Sequence, residues 1–122
     1  MTEMNKVPSE IKLHQKSRRL EVTFGEAKPF FLPCEYLRVY SQSAEVKGHG
    51  PGQETLQVGK ENVNITHIEP VGSYGIKPTF SDGHNTGIYS WDYLYELAVN
   101  QEQMWLDYLD KLAAAGQNRA AE

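Results

Sequence analysis

The side chains best suited to chemistry in this sequence are one cysteine and four histidines. They are Cys34, His14, His49, His67 and His84. No two histidines are four residues apart, the spacing that places two metal ligands on one face of a helix. A single thiol permits neither an internal disulfide nor a cysteine-rich metal site. These residues therefore predict no resident metal unless the fold assembles ligands from distant segments.

Nucleophilic and phosphate chemistry find equally little support in the residue spacing. Cys34 follows Pro33 at the predicted start of a helix, which favours the thiolate, but no spacing indicates a cysteine–histidine pair. The segment 47–53 is rich in glycine, yet it lacks the Lys-Ser/Thr ending of a phosphate-binding loop, and a predicted strand follows it. We therefore predict that the chain is not an enzyme.

The length and composition are typical of one small domain. A chain of 122 residues with 39% hydrophobic residues can bury a single core. The net charge of -4, without a cluster of basic residues, argues against binding to nucleic acid. No apolar leader and no run of about 20 apolar residues occurs, so no membrane association is expected. With only one cysteine, these features predict a cytoplasmic protein.

In the N-terminal two thirds of the chain, apolar and polar residues alternate as they do in β-strands. We predict disordered tails at residues 1–7 and 117–122 and a single domain over 8–116. Apolar residues that alternate with polar ones, bounded by turn residues, predict short strands at 10–14, 20–24, 29–32, 56–58, 63–68 and 74–80. Pro78 should place the last strand at a sheet edge or a bulge, because proline has no N–H to donate.

Start signals and a period near 3.6 residues predict two helices. Pro33 and Glu35 favour a short helix over residues 33–40. Ser90 is a good N-cap for a long helix that ends near Ala115, and its buried apolar stripe should begin at Trp91 and include Trp105. A kink or two shorter helices at Asn100 remain open. The expected fold is therefore α+β, with a twisted antiparallel sheet of short strands, one short helix and a long C-terminal helix packed on the sheet.

Five motifs in the same order resemble the gamma-butyrobetaine hydroxylase-like N-terminal domain family. They occupy residues 32–38, 41–46, 48–52, 68–71 and 82–91. The resemblance implies a small β-rich domain that occurs alone, ahead of 2-oxoglutarate oxygenase domains, or attached to Mrp-type ATPases that carry iron–sulfur clusters. In none of these settings is it the catalytic centre, so the resemblance also implies no hydroxylase activity here.

The resemblance further implies where a metal would bind. In the oxygenase-fused members, three cysteines after a Leu-Arg pair and the histidine of an Asp-Gly-His turn hold a structural zinc. Here Arg38 and His84 match those motifs, but the cysteine positions fall near Ser41, Ser43 and Val46. No cofactor is expected. Any metal ion would use the weak candidates His84, His49 and Glu45.

Together these observations predict a non-catalytic accessory or interaction domain. Its contact surface for a partner protein would include Arg38, His49 and His84, because these residues lie in family motifs with little expected packing role. The alternative is a protein that binds iron or zinc and takes part in iron–sulfur cluster handling. The sequence pattern carries no signal of the oligomeric state.

Overall fold

A computed structural model describes residues 7–48 and 54–119, and its first half is built on a three-stranded antiparallel sheet. The strands are β1 (Pro8–His14), β2 (Arg19–Phe24) and β3 (Phe30–Pro33), in the order β1-β2-β3. Alternate residues of β2 are buried, as the period of a half-buried strand requires. All three strands were expected from the sequence, with ends shifted by one to two residues.

Two short helices follow this sheet directly. Helix α1 (Cys34–Val39) has Pro33 as its N-cap residue, and all six of its residues are buried. Helix α2 (Ala44–Lys47) is absent from the sequence prediction, because four residues are too few to show a period. Its N-cap is Ser43, whose hydroxyl accepts a hydrogen bond from the Glu45 N–H at 3.2 Å.

A second antiparallel sheet holds β4 (Ile65–Val71), β5 (Gly75–Phe80) and β6 (Tyr89–Ser90), in that order. Two residues of β5, Gly75 and Ile76, pair with β6. Pro78 lies beyond this paired part, where its missing N–H interrupts no bond to β6. The prediction that Pro78 lies in an edge strand or a bulge is therefore wrong, because β5 is the central strand; the proline is tolerated there because β6 is too short to reach it.

The strand predicted at residues 56–58 is wrong. Residues 54–58 run as an irregular segment, and two of its hydrogen bonds go to helices. Thr55 N–H donates to the Val46 carbonyl at 2.7 Å, and the Gln57 carbonyl accepts from the Tyr108 hydroxyl at 2.6 Å. The apolar alternation of this segment arises because Leu56 packs against a helical cluster instead of a sheet.

The C-terminal helical region is divided at Asn100, which decides between the two alternatives left open above. Helices α3 (Trp91–Val99) and α4 (Gln101–Ala114) flank Asn100, whose backbone leaves the helical region. Ser90 caps α3 as predicted, since its hydroxyl accepts from the Tyr93 N–H at 3.1 Å. The break turns α4 toward α1, where the Tyr40 hydroxyl donates to the Met104 carbonyl at 2.7 Å.

One core joins the two sheets with α1 and α3. Buried residues from every one of these elements belong to it: Leu20, Val22, Leu32, Tyr36, Leu37, Ile65, Ile76, Phe80, Tyr89, Leu94 and Leu97 are among them. Trp91, expected at the buried start of the helical stripe, is only half-buried and donates its indole N–H to the Ser73 carbonyl. The α+β class with antiparallel strands is therefore confirmed.

The ends of the chain lie partly outside the described residues. Residues 1–6 and 120–122, assigned above to the tails, are outside, and so are residues 49–53 of the glycine-rich loop. Arg119 is described and forms a two-pronged ion pair with the buried Glu35, at 2.9 and 2.8 Å. No helix in the described ranges is long and apolar enough to cross a lipid bilayer.

Candidate functional site

Two turns from opposite halves of the chain meet in a set of polar side chains that we call the turn cluster. Its members are Ser41, Ser43, Glu45, His84 and Thr86. His84 Nε2 lies 2.9 Å from Ser41 Oγ, and its Nδ1 lies 2.8 Å from Glu45 Oε1. The hydroxyls of Ser43 and Thr86 are 2.6 Å apart. Three contacts therefore tie the start of α2 to the turn after β5.

The position of His84 depends on a tight turn. Gly83 has φ of +94°, a left-handed conformation that favours glycine, and its N–H donates to the Phe80 carbonyl at 2.9 Å. The turn predicted at Asp82-Gly83 is thus present. Because the Glu45 carboxylate accepts hydrogen bonds, Nδ1 of His84 carries a proton toward it, and Nε2 lies within hydrogen-bond distance of the Ser41 hydroxyl.

This order of serine, histidine and carboxylate matches that of a hydrolase triad, so its access to a substrate decides its role. Ser41 is 0% exposed, and its Oγ also accepts from the Ser43 N–H at 3.2 Å. The backbone of Gly87 packs so closely that a Cβ there would collide with Ser41 Oγ. The Ser41 hydroxyl is therefore closed off from solvent, and its contacts hold the two turns together.

Asp82 forms the second set of polar contacts at these turns. Its Oδ2 accepts from Arg38 Nε at 2.9 Å and from Lys60 Nζ at 2.6 Å, and its Oδ1 accepts from the His84 N–H at 3.2 Å. Burial alone would raise the pKa of this carboxyl. The bonds from Lys60, His84 and Arg38 outweigh burial and lower the pKa from 3.8 to about 2.

The residues predicted to contact a partner are placed inside the fold where the structure describes them. Arg38 is 7% exposed and His84 is 5% exposed, and His49 lies outside the described residues. Arg38 is held by Asp82, 44 positions away in sequence, and one of its terminal nitrogens, Nη1, has no partner in the described part of the chain. Both side chains stabilise the turns; recognition of a partner by this set stays a prediction.

The described residues bring together two of the three weak metal candidates. Glu45 and His84 are in contact, but both imidazole nitrogens are engaged, and His49 is outside the described ranges. No group of three or more His, Cys, Asp or Glu in those ranges is arranged for a metal ion. Cys34 lies elsewhere, and burial raises the pKa of its thiol to about 11, which disfavours the thiolate.

A cavity of about 610 Å³ borders the turn cluster, because Ser41 is one of its lining residues. The sequence did not predict this cavity. Its walls are formed by the C-terminal end of α1, helix α2, residues 54–57, Tyr93 of α3 and the C-terminal half of α4. We call it the lysine cavity because Lys47 and Lys111 both line it. Its walls come from segments about 70 residues apart, and this is why no local pattern indicated it.

A separate concavity of about 530 Å³ lies between the start of α1 and the exposed side of α4. We call it the Trp105 groove. Its lining residues are Pro33, Tyr36, Gln101, Glu102, Trp105 and Leu106. The sequence signal for this groove was Leu106, an apolar residue that lies next to Trp105 but outside the buried stripe of the helix. Such a residue is often a contact residue.

The close approach of Gly87 to Ser41 generates a test of the sealed cluster. Gly87→Ala should lower the free energy of unfolding by about 1–3 kcal/mol, because the new methyl group displaces the Ser41 hydroxyl from His84. In a Ser41→Ala background the same change should cost less than half as much. Urea unfolding of the four proteins measures both values, and equal costs in the two backgrounds would show that the turns are loosely packed.

Metal independence is the second prediction from this site. We expect the domain to fold without metal, since hydrogen bonds occupy both nitrogens of His84. Structural zinc contributes folding energy directly, so its removal would be visible in a melting curve. Thermal unfolding with and without excess EDTA should give the same midpoint. A fall of more than about 5 °C, roughly 1 kcal/mol for a domain of this size, would mean that a metal stabilises the fold.

Comparison with solved structures identifies near relatives of this fold. One solution structure has 48% sequence identity and a TM-score of 0.84, and the match covers 98% of this chain and 94% of that one. A second solution structure has 50% identity and a TM-score of 0.78, with coverage of 98% and 90%. At 48–50% identity over almost the whole chain, these proteins share the fold described above.

The family assignment comes from the same kind of comparison. A crystal structure from Acidithiobacillus ferrooxidans, of a protein with unknown function in the DUF971 family, has 35% identity and a TM-score of 0.66, with coverage of 80% of this chain and 98% of that one. No curated protein matches the sequence. The family model described as gamma-butyrobetaine hydroxylase-like, N-terminal, matches residues 11–95. The chain therefore belongs to the gamma-butyrobetaine hydroxylase-like N-terminal family.

Proposed function

We propose that this chain is a non-catalytic accessory domain that binds a partner protein through the Trp105 groove. The observation that carries the proposal is the groove itself, an apolar concavity with an aromatic wall on an exposed helix. A non-catalytic role is supported by the burial of Ser41, whose side chain is 0% exposed and lies in hydrogen-bond contact with His84. An accessory role also agrees with a family described as the N-terminal part of hydroxylase-like proteins.

The residues of the groove suit a protein partner. Leu106 is 49% exposed, and Trp105 is half-buried beside it. Tryptophan is enriched among the residues that dominate binding energy, especially where neighbouring side chains exclude water. Pro33 and the buried Tyr36 close the opposite wall. An apolar side chain of a partner would thus remove carbon surface from water on both sides of the groove.

Charge favours a basic partner segment. Helix α4 carries three acids, Glu102, Asp107 and Asp110, and one base, Lys111. Glu102 lines the groove itself. The chain also contains an internal example of this recognition, because the Arg119 guanidinium lies 5.5 Å from the centre of the Trp105 ring while it pairs with the Glu35 carboxylate. A partner segment with apolar anchors and flanking Lys or Arg residues matches these features.

Nuclear magnetic resonance of the two indole N–H groups tests the proposal. A synthetic amphipathic peptide of leucine and lysine should shift the indole signal of Trp105 and leave that of Trp91, which donates to Ser73, unchanged. The same peptide with glutamate in place of lysine should bind at least tenfold more weakly. Equal binding of the two peptides, or a shift confined to Trp91, contradicts the proposal.

Matched variants locate the binding surface. Leu106→Asp should weaken the lysine peptide by about tenfold or more, since it places a charge in the apolar groove. Tyr74→Asp is the control, because Tyr74 is also exposed but lies in the turn between β4 and β5. Cell-lysate proteins held by wild type and Tyr74→Asp but lost by Leu106→Asp would be the partners. Unchanged peptide affinity in Leu106→Asp would exclude the groove.

A further inference from the structure

We propose that the lysine cavity is a small-molecule site for an aliphatic carboxylate of medium chain length. The site is separate from the Trp105 groove, and the two share no described lining residue. The proposal adds a ligand to the protein-binding role argued above and does not depend on it. Three observations support it: the size of the cavity, its carbon-rich wall and the charges at its edge.

The size and construction of the cavity are those of a ligand site. Its volume of about 610 Å³ lies within the range of roughly 300–1,000 Å³ that is usual for small-molecule pockets. Five segments form it, and three of them are joined, because the Thr55 N–H donates to the Val46 carbonyl of α2 and the Tyr108 hydroxyl of α4 donates to the Gln57 carbonyl. The cavity is therefore a built feature of the packed helices.

Most of the wall is hydrocarbon. Its aliphatic members are Val39, Val46, Leu56, Ala114 and Ala115. Val39 and Val46 are buried, and Val39 packs with Tyr108 and Leu112 in a small apolar cluster. Such a wall binds an aliphatic chain through the removal of carbon surface from water.

Three tyrosines in the wall also act as apolar surfaces. Their hydroxyls are used within the fold: Tyr40 donates to the Met104 carbonyl, Tyr93 to the Tyr40 carbonyl and Tyr108 to the Gln57 carbonyl, at 2.6–2.7 Å. Burial raises the pKa of Tyr93 and of Tyr108 to about 12, so both hydroxyls stay neutral. These rings contribute carbon contacts but no free polar group to a ligand.

The charged residues of the lining set the preference for the ligand's head group. They are Lys47, Lys111 and Glu54, all exposed, and none has an ion pair within the described residues. Two positive charges and one negative charge leave an excess of one positive charge. A singly charged anion complements this edge, whereas an ammonium head would meet two like charges. An aliphatic chain with one carboxylate therefore fits both the wall and the edge.

Titration calorimetry with three probes of equal chain length tests the preference. Octanoate should bind with saturation at one site, while octanol and octylammonium should bind at least fivefold more weakly, because only the carboxylate pairs with the lysines. Amide signals of residues 39–47, 54–57 and 108–115 should shift on addition of octanoate. The absence of saturable octanoate binding, or equal binding of octylammonium, overturns the proposal.

Variants separate the cavity from other surfaces. The double change Lys47→Ala and Lys111→Ala should weaken octanoate about tenfold, and Ala114→Phe should also weaken it because the ring occupies part of the cavity. Lys12→Ala is the control, since Lys12 lies on β1 and pairs with Glu10. Circular dichroism establishes that each variant is folded. Unchanged affinity in the double variant overturns the proposal.

Two further comparisons test whether the two proposals fail separately and whether the carboxylate comes from a small molecule or from the end of a protein chain. Leu106→Asp should keep full octanoate affinity, so loss of peptide binding and loss of carboxylate binding are independent results. A short peptide that ends in two leucines with a free carboxylate should bind more weakly than octanoate. Tighter binding of this peptide would assign the cavity to the end of a protein chain and overturn the small-molecule proposal.

Discussion

The carboxylate of Asp82 is the contact on which the arrangement of the turns depends. It accepts hydrogen bonds from α1 through Arg38, from the segment before β4 through Lys60, and from the backbone of the turn after β5 at His84. Arg38 is almost fully buried, and a buried guanidinium without a partner would strongly destabilise the fold. One side chain therefore ties the first half of the chain to the second sheet.

The contacts of the neighbouring side chains depend on the position of Asp82. The turn at Gly83 directs His84 inward to Ser41 and Glu45, and Gly87 closes over the serine. The hydroxyl of Tyr89 then donates to the Leu37 carbonyl and holds α1 against β6. The serine, histidine and carboxylate groups of these turns are engaged in contacts that hold the fold, while the two concavities beside α4 have exposed apolar surface. The binding role proposed above is based on this division.

Local signals account for the parts of the fold that were predicted from the sequence. The alternation in β2, the Asp82-Gly83 turn and the Ser90 cap each depend on neighbouring residues, and each is present. Helix α2 and the irregular segment at 54–58 were missed because their structure depends on contacts with each other and with α4. The burial of Arg38 and His84 depends on partners about 40 positions away. From residue type alone we predicted that both side chains are exposed. Their contacts with distant residues bury them instead.

The dependence of stability on pH tests the role of Asp82 most directly. Because the folded pKa is depressed to about 2 from 3.8, this group stabilises the fold above about pH 4, and that contribution disappears as pH falls toward 2. Urea unfolding of wild type should therefore lose about 2 kcal/mol more between pH 5 and pH 2 than Asp82→Asn does. Asp110→Asn, an exposed acid on α4, controls for the change in net charge. Parallel curves for wild type and Asp82→Asn would show that the carboxylate does not tie the two halves together.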